Sequence, residues 1–123
     1  MDKVFIRGLE VLSTIGVYQW EKGIRRKLIV DLEMGFNNRP AAAGDDIHQA
    51  LDYATLSERI TRHMSTTVVE LVETMAEQVA TLVLTDNRVQ WVRVTLTKPG
   101  AVPNAAGVGV EILRHQQPGP SEQ

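Results

Sequence analysis

Four stretches of this chain carry the two-residue alternation of strands, and two carry the spacing of helices. Lys27 to Phe36 is the clearest: Leu28, Val30, Leu32, Met34 and Phe36 fall on one face, and Lys27, Ile29, Asp31 and Glu33 on the other. Asp2 to Leu12 is rich in β-forming residues (Val4, Phe5, Ile6, Leu9, Val11), with Gly8 at an expected bulge. These two stretches read as an antiparallel pair joined by a longish loop, Ser13 to Glu21 and on through Gly23. Asn37-Asn38-Arg39-Pro40 ends the second strand, and Ala41 to Ala43 suits a single helical turn.

From Asp52, a residue suited to an N-cap, Tyr53, Leu56, Ile60 and Met64 recur at helical spacing. A second helix is expected over about Val68 to Thr85, with the stripe Val68, Leu71, Val72, Met75, Val79, Leu82 and Val83. Thr67 and Glu70 have the form of a capping box at its start. Val92, Val94 and Leu96 then line one face of a third strand that ends at Pro99-Gly100. Ala106, Val108, Val110 and Ile112 line one face of a fourth strand, Ala106 to Leu113. The order strand, strand, helix, helix, strand, strand (ββααββ) predicts an α+β domain, a four-stranded antiparallel sheet with both helices on one face. Residues 1–115 are expected to form one domain, and 116–123, containing Pro118, Gly119 and Pro120, a disordered tail. Such a sheet has a bare second face and two open edges, and several strands carry apolar residues on both faces. Self-association through that sheet is therefore expected.

Composition narrows the function. The chain has 123 residues, 43% hydrophobic and 23% charged, which suits one soluble domain, and the 5% aromatic content demands an aliphatic core. A net charge of -2 argues against a nucleic-acid partner. The basic group Lys22, Arg25, Arg26 and Lys27 reads as a solvated face leading into a strand. The absence of cysteine excludes disulfides and thiolate chemistry. His48, His63 and His115 lack metal-ligand spacing, so no metal is expected. With no apolar run long enough for a membrane span or signal segment, a cytoplasmic location without membrane contact is expected.

Four polar side chains have unusual settings. Alternation places Lys98 on the same face as Val92, Val94 and Leu96, at a strand end just before Pro99-Gly100. An ammonium held against an apolar face loses hydration, which singles Lys98 out among the lysines; the plain alternative is a lysine that has left the sheet and is solvated. Glu21 follows the apolar and aromatic run Ile15 to Trp20, which reads as a segment packed on something. Its carboxylate either lines a pocket wall or is an ordinary loop glutamate in water. Tyr53 begins the first helix on its apolar side, where tyrosine is usually core with a wet hydroxyl. Glu73 aligns with Glu70 and Glu77 in an acidic outer stripe, and periodicity alone gives it no role.

The chain resembles the bacterial dihydroneopterin aldolases of folate biosynthesis from Asp2 to about Arg114. The matching segments are Thr14-Ile15-Gly16-Val17-Tyr18-Gln19-Trp20-Glu21, the region of Asp45-Asp46 through Leu51-Asp52-Tyr53-Ala54, Leu71-Val72-Glu73, and Leu96-Thr97-Lys98-Pro99-Gly100-Ala101. The first and last are specific as a pair. The resemblance implies the tunnelling fold, rings of four subunits stacked in pairs as a homo-octamer, and active sites between subunits.

It also implies a retro-aldol cleavage of 7,8-dihydroneopterin without metal or cofactor, because the C6=N5 imine of the dihydropterin is itself the electron sink. In that scheme Lys98 is the central proton-transfer group and Tyr53 of a neighbouring subunit assists. Glu73 holds the pterin 2-amino group and ring N3, with backbone groups around Leu71 and Val72 helping. Glu21 sits near the reacting side chain, as a base or as a group that orients water. The sister reaction, 2′-epimerisation of dihydroneopterin triphosphate, shares the chemistry and is the alternative, and some aldolases also epimerise. A silent pterin-binding or ring-forming scaffold is the alternative of another class; it could dispense with Lys98 and Tyr53, and both are present.

Overall fold

Trp91 to Pro99 forms a central strand of a mixed sheet, and its inward residues Val92, Val94 and Leu96 are fully buried. The computed structural model describes residues 1–118. In chain order the elements are β1 (Lys3–Ile15), β2 (Arg26–Gly35), α1 (Arg39–Gly44), α2 (Tyr53–Thr66), β3 (Val68–Val69), α3 (Val72–Val83), β4 (Trp91–Pro99) and β5 (Gly107–His115). Single 3-10 turns lie at Gln19–Glu21 and Ile47–Gln49. The strands lie side by side as β3-β1-β2-β4-β5. All pairings are antiparallel except that of β3 with the end of β1.

The alternation along β2 is realised in full. Leu28, Val30, Leu32 and Met34 are buried, and Ile29, Asp31 and Glu33 look the other way. The register of β1 against β2 shifts between Ile6 and Leu9. Gly8 takes φ +70° there, a left-handed conformation that glycine adopts without a Cβ penalty, and its N–H donates to Asp31 Oδ1 at 2.8 Å. Helix α2 opens at the expected cap: the Asp52 carboxylate accepts from the N–H of Thr55 at 3.0 Å. It buries Leu56, Ile60 and Met64 and packs on β1, while α3 buries Met75, Ala76, Val79, Ala80 and Val83 and packs on β4 and β5.

Two expectations need correction. The sheet has five strands and is mixed, with three helices in the order ββααβαββ, in place of the four-stranded antiparallel ββααββ arrangement. Val68 and Val69, read as the first turn of the second helix, instead pair in parallel with Thr14 and Ile15. β-Branched residues suit extended backbone, and β1 runs on to Ile15, beyond the expected end at Leu12, so an open edge is there for them to join. The helix consequently starts at Val72, and Thr67, extended at the end of α2, forms no capping box with Glu70.

The second face of the sheet is charged as well as apolar. Lys3, Glu33, Arg93 and Glu111 form a chain of ion pairs across it, beside exposed Phe5 and Leu12. Of the expected tail, Gln116 is tied down: its side-chain amide donates to the carbonyls of Leu84, Asp86 and Val89 at 3.1–3.3 Å. Residues 119–123 of that tail lie outside the described residues.

Candidate active site

Strand alternation carries Lys98 onto the buried face, and there it meets Glu21. Its Nζ donates to Glu21 Oε2 at 2.9 Å, with the two side chains only 13% and 8% exposed. The chain delivers Glu21 by a tight device. β1 ends at buried Ile15, Gly16 follows, and the 3-10 turn Gln19–Glu21 points the carboxylate back inward. The backbone closes that turn through Glu21 N–H to the Tyr18 carbonyl at 2.9 Å. The Tyr18 N–H in turn donates to Glu21 Oε1 at 3.2 Å. Both carboxylate oxygens thus have donors.

The hydrogen bond from Lys98 is the main cause that holds the Glu21 carboxyl below its ordinary range. The Tyr18 N–H adds to it, burial opposes it, and the charges of Lys98 and Arg26 contribute further. Gly16 is required by this packing, because a Cβ on it would run into the Glu21 side chain. Lys98 is therefore neither solvated nor surrounded by apolar groups alone. Its setting is an ion pair, formed between residues 77 positions apart.

Gly16 also lines the wall of a groove of about 470 Å3, together with Thr14, Lys22, Val68, Val69, Glu70, Leu71 and Thr74. The groove runs from the end of β1 to the start of α3. Leu71 is half exposed at that helix start, and no side chain caps it. The first backbone N–H groups of α3 are thus left without helical partners beside the groove. Glu73 stands in this first turn, exposed. Its neighbours in the acidic stripe are both engaged: Glu70 with Lys22 at 3.1 Å and Glu77 with Arg114 at 2.8 Å. Among the described residues Glu73 alone of the three has no hydrogen-bond or ion-pair partner, which sets it apart from an ordinary acidic face. A hollow of similar size, about 480 Å3 between α3 and Arg114 to Gln117, contains none of the candidate residues.

Tyr53 is the first residue of α2 and is 61% exposed, and no hydrogen bond links it to Lys98 or Glu21 among the described residues. The loop expected to pack on something does so only through Ile15, Gly16 and Glu21. Val17, Tyr18 and Trp20 project outward, with the rings of Tyr18 and Trp20 stacked at 6.4 Å and 6°. A single turn cannot bury all of its side chains. Glu21 takes the inward position because two donors await it there.

The basic group is dispersed. Lys22 pairs with Glu70, Arg25 donates to the Ser65 carbonyl at 2.9 Å, the Arg26 guanidinium lies 5.1 Å from the Trp20 ring, and Lys27 pairs with Glu10. Among the described residues no group of three or more His, Asp or Glu side chains is placed to hold a metal ion. No described helix is long and apolar enough to cross a membrane. The sequence reading missed Gly16 and the Tyr18 amide as supports for Glu21, although both lie within the matched Thr14 to Glu21 segment.

The residues of this ion pair and groove all fall within a stretch that matches a known family. The model of the dihydroneopterin aldolases, FolB, matches residues 4–113. The chain belongs to the dihydroneopterin aldolase family. It is 49% identical over 114 residues to the dihydroneopterin aldolase of Escherichia coli (strain K12), covering 93% of both chains. The crystal structure of the E. coli dihydroneopterin aldolase in complex with neopterin superposes with a TM-score of 0.90, covering 93% of this chain and 99% of the other. A dihydroneopterin triphosphate 2′-epimerase from Pseudomonas aeruginosa is more distant, 25% identical over 116 residues and covering 94% of both chains. Within the dihydroneopterin aldolase family, then, this chain resembles the E. coli aldolase more closely than that epimerase.

Proposed function

We propose that this chain cleaves 7,8-dihydroneopterin by a retro-aldol reaction to 6-hydroxymethyl-7,8-dihydropterin and glycolaldehyde, a step of folate biosynthesis. The observation that supports it best is the buried Lys98–Glu21 pair, packed against Gly16 in the wall of a groove that reaches the start of α3, the turn in which Glu73 stands. The reaction removes the proton of the substrate's 2′-hydroxyl and breaks the C1′–C2′ bond. The 2′ carbon leaves as the aldehyde, and the electron pair of the broken bond passes into the C6=N5 imine. The resulting enamine then takes a proton on carbon. The dihydropterin is its own electron sink, so the scheme calls for neither metal nor cofactor.

In this reading Lys98 moves the protons, with an ordered water, and Glu21 holds its ammonium in place and orients that water. Glu73 binds the 2-amino group and N3 of the pterin through two parallel hydrogen bonds, aided by backbone groups at Leu71 and Val72. Its lack of a partner in this chain supports that role. Tyr53 reaches the site from a neighbouring subunit, which accounts for an exposed tyrosine at a helix start with no hydrogen bond to Lys98 among the described residues. The assembly is a ring of four subunits that doubles to a homo-octamer, closed through the edges at β3, β1 and β5. Residues 1–115 act as one domain, in the cytoplasm.

The test is incubation of the purified protein with 7,8-dihydroneopterin in the presence of a chelator, followed by chromatographic separation. Equimolar hydroxymethyl-dihydropterin and glycolaldehyde are expected. Mainly dihydromonapterin would make epimerisation the dominant activity. No turnover of either dihydroneopterin or its triphosphate would leave a pterin-binding scaffold in its place.

A further inference from the structure

We infer that Glu70 is a specificity residue that keeps phosphorylated pterins out of the groove by occupying Lys22. The inference rests on the reading of the groove as the pterin site. Both residues line it, Lys22 one position beyond Glu21 and Glu70 one position before Leu71. Their ion pair, at 3.1 Å, spans from the loop that carries the acid–base pair to the turn that carries the pterin anchor.

The substrate side chain bears its reacting hydroxyl on C2′, and a phosphorylated relative carries its phosphates on the adjacent C3′ oxygen. Phosphates placed there lie close to Glu21, and the cation best placed to receive them is Lys22. With Glu70 bound to it, that ammonium is already matched, and a carboxylate faces the incoming anion. The other cations nearby are engaged too: Lys98 by Glu21, Arg25 by the Ser65 carbonyl and Lys27 by Glu10. Arg26 lies against Trp20, with its Nε buried and unpartnered, and does not line the groove. Lys22 is the cation that lines the groove, and loss of Glu70 releases it. Removing the Glu70 charge leaves Lys22 free to make a charge-assisted hydrogen bond to phosphate and removes a repulsion at the same point. Both side chains are largely exposed, 42% and 62%, so the pair is screened and either substitution leaves the core untouched.

The experiment measures the affinities of neopterin and neopterin triphosphate, both inert to cleavage, for the wild type, Glu70→Gln, Lys22→Gln and the double variant. Glu70→Gln is expected to bind the triphosphate about fivefold more tightly than the wild type, with neopterin changed by less than about twofold. The gain should vanish in the double variant and shrink as salt is added. Equal triphosphate affinity in the wild type and Glu70→Gln, or a gain that survives loss of Lys22, would overturn the inference. A wild type that binds neopterin without cleaving dihydroneopterin removes the aldolase reading alone, and the affinity ratio still decides the role of Glu70. A wild type that binds neither ligand overturns both.

Discussion

Lys98 Nζ donates to Glu21 Oε2 at 2.9 Å in the one largely buried ion pair among the described residues. The remaining pairs join side chains that are each more than a fifth exposed, and such pairs add little to stability. Burial of two charges costs desolvation, and here the Tyr18 N–H and the mutual hydrogen bond offset it. A buried ion pair placed beside a groove fits a chemical role as well as a structural one.

If Lys98 moves the protons and Glu73 anchors the pterin, the two roles separate in kinetics. Lys98→Ala is expected to lower kcat by about 10²–10⁴-fold with little change in KM, as loss of a general acid–base does. Glu73→Ala should raise KM well beyond its effect on kcat, because the hydrogen bonds proposed for it would be made to substrate and transition state alike. Steady-state rates with 7,8-dihydroneopterin read both. Equal loss of binding in the two variants would undo the assignment.

Gly16→Ala tests the support of Glu21 without touching a charge. The added methyl would occupy the space of the Glu21 side chain, so the 3-10 turn must shift or the carboxylate must leave Lys98. Overpacking of this kind costs about 1–3 kcal/mol, read as a lowered urea midpoint at constant slope. The kcat should fall with it. Full activity at reduced stability would mean that the placement of Glu21 does not matter to the reaction.

Acid stability follows from the same carboxylate. The folded state holds the Glu21 carboxyl below its ordinary 4.5, chiefly through the Lys98 hydrogen bond. The unfolded chain therefore binds the proton first as pH falls. Glu21 contributes stability that is fully present above 4.5 and is lost as the pH drops through the lower folded-state value. Urea midpoints measured between neutral pH and that window should fall less steeply for Glu21→Gln than for the wild type. The residual slope belongs to Glu33, Asp52 and Asp86, also held low by their hydrogen bonds from Lys3, Thr55 and Arg88. Identical slopes would remove Glu21 from the account.

The sequence reading succeeded where one element decides its own structure and failed where a partner does. The alternation of Leu28, Val30, Leu32 and Met34 sets the buried face of β2, and Met75, Val79 and Val83 set that of α3. The same alternation placed Lys98 on the inner face. Nothing local could reveal β3, because Val68 and Val69 become a strand only where Thr14 and Ile15 offer an edge. Apolar residues at helical spacing extended α3 four residues too far for this reason. The partner of Lys98 was equally hidden, since only the closed sheet and the 3-10 turn bring Glu21 across to it. For Glu73 periodicity gave an outer stripe, and the distinguishing fact is relational: Glu70 and Glu77 have partners and Glu73 has none.

Asp52 links helix formation to the position of Tyr53. Its carboxylate accepts from the Thr55 N–H at 3.0 Å and from the Thr55 hydroxyl at 2.9 Å, fixing the first turn that begins with Tyr53. Asp52→Ala should cost about 1 kcal/mol of stability and let that turn fray. If Tyr53 assists the reaction, kcat should fall in parallel. Asp52→Asn, which keeps an accepting oxygen, should restore much of both. Thermal unfolding and initial rates on the three proteins check the link.

The exposure of Tyr53, with no hydrogen bond to Lys98 among the described residues of one chain, makes a sharper prediction about assembly. If each site takes Lys98 from one subunit and Tyr53 from its neighbour, Lys98→Ala and Tyr53→Phe subunits can complement each other. In mixed rings one kind of interface carries both defects and another carries none. Equal amounts unfolded and refolded together should place about a quarter of the interfaces in the intact class, if subunits associate at random around a closed ring. Activity should then approach about a quarter of the wild type, far above the sum of the separate variants. Refolding each variant alone and mixing afterwards supplies the control. Activity no greater than that sum, in a mixture whose subunit exchange has been verified by mass, would place Tyr53 and Lys98 of the same chain in one site or leave Tyr53 out of the reaction.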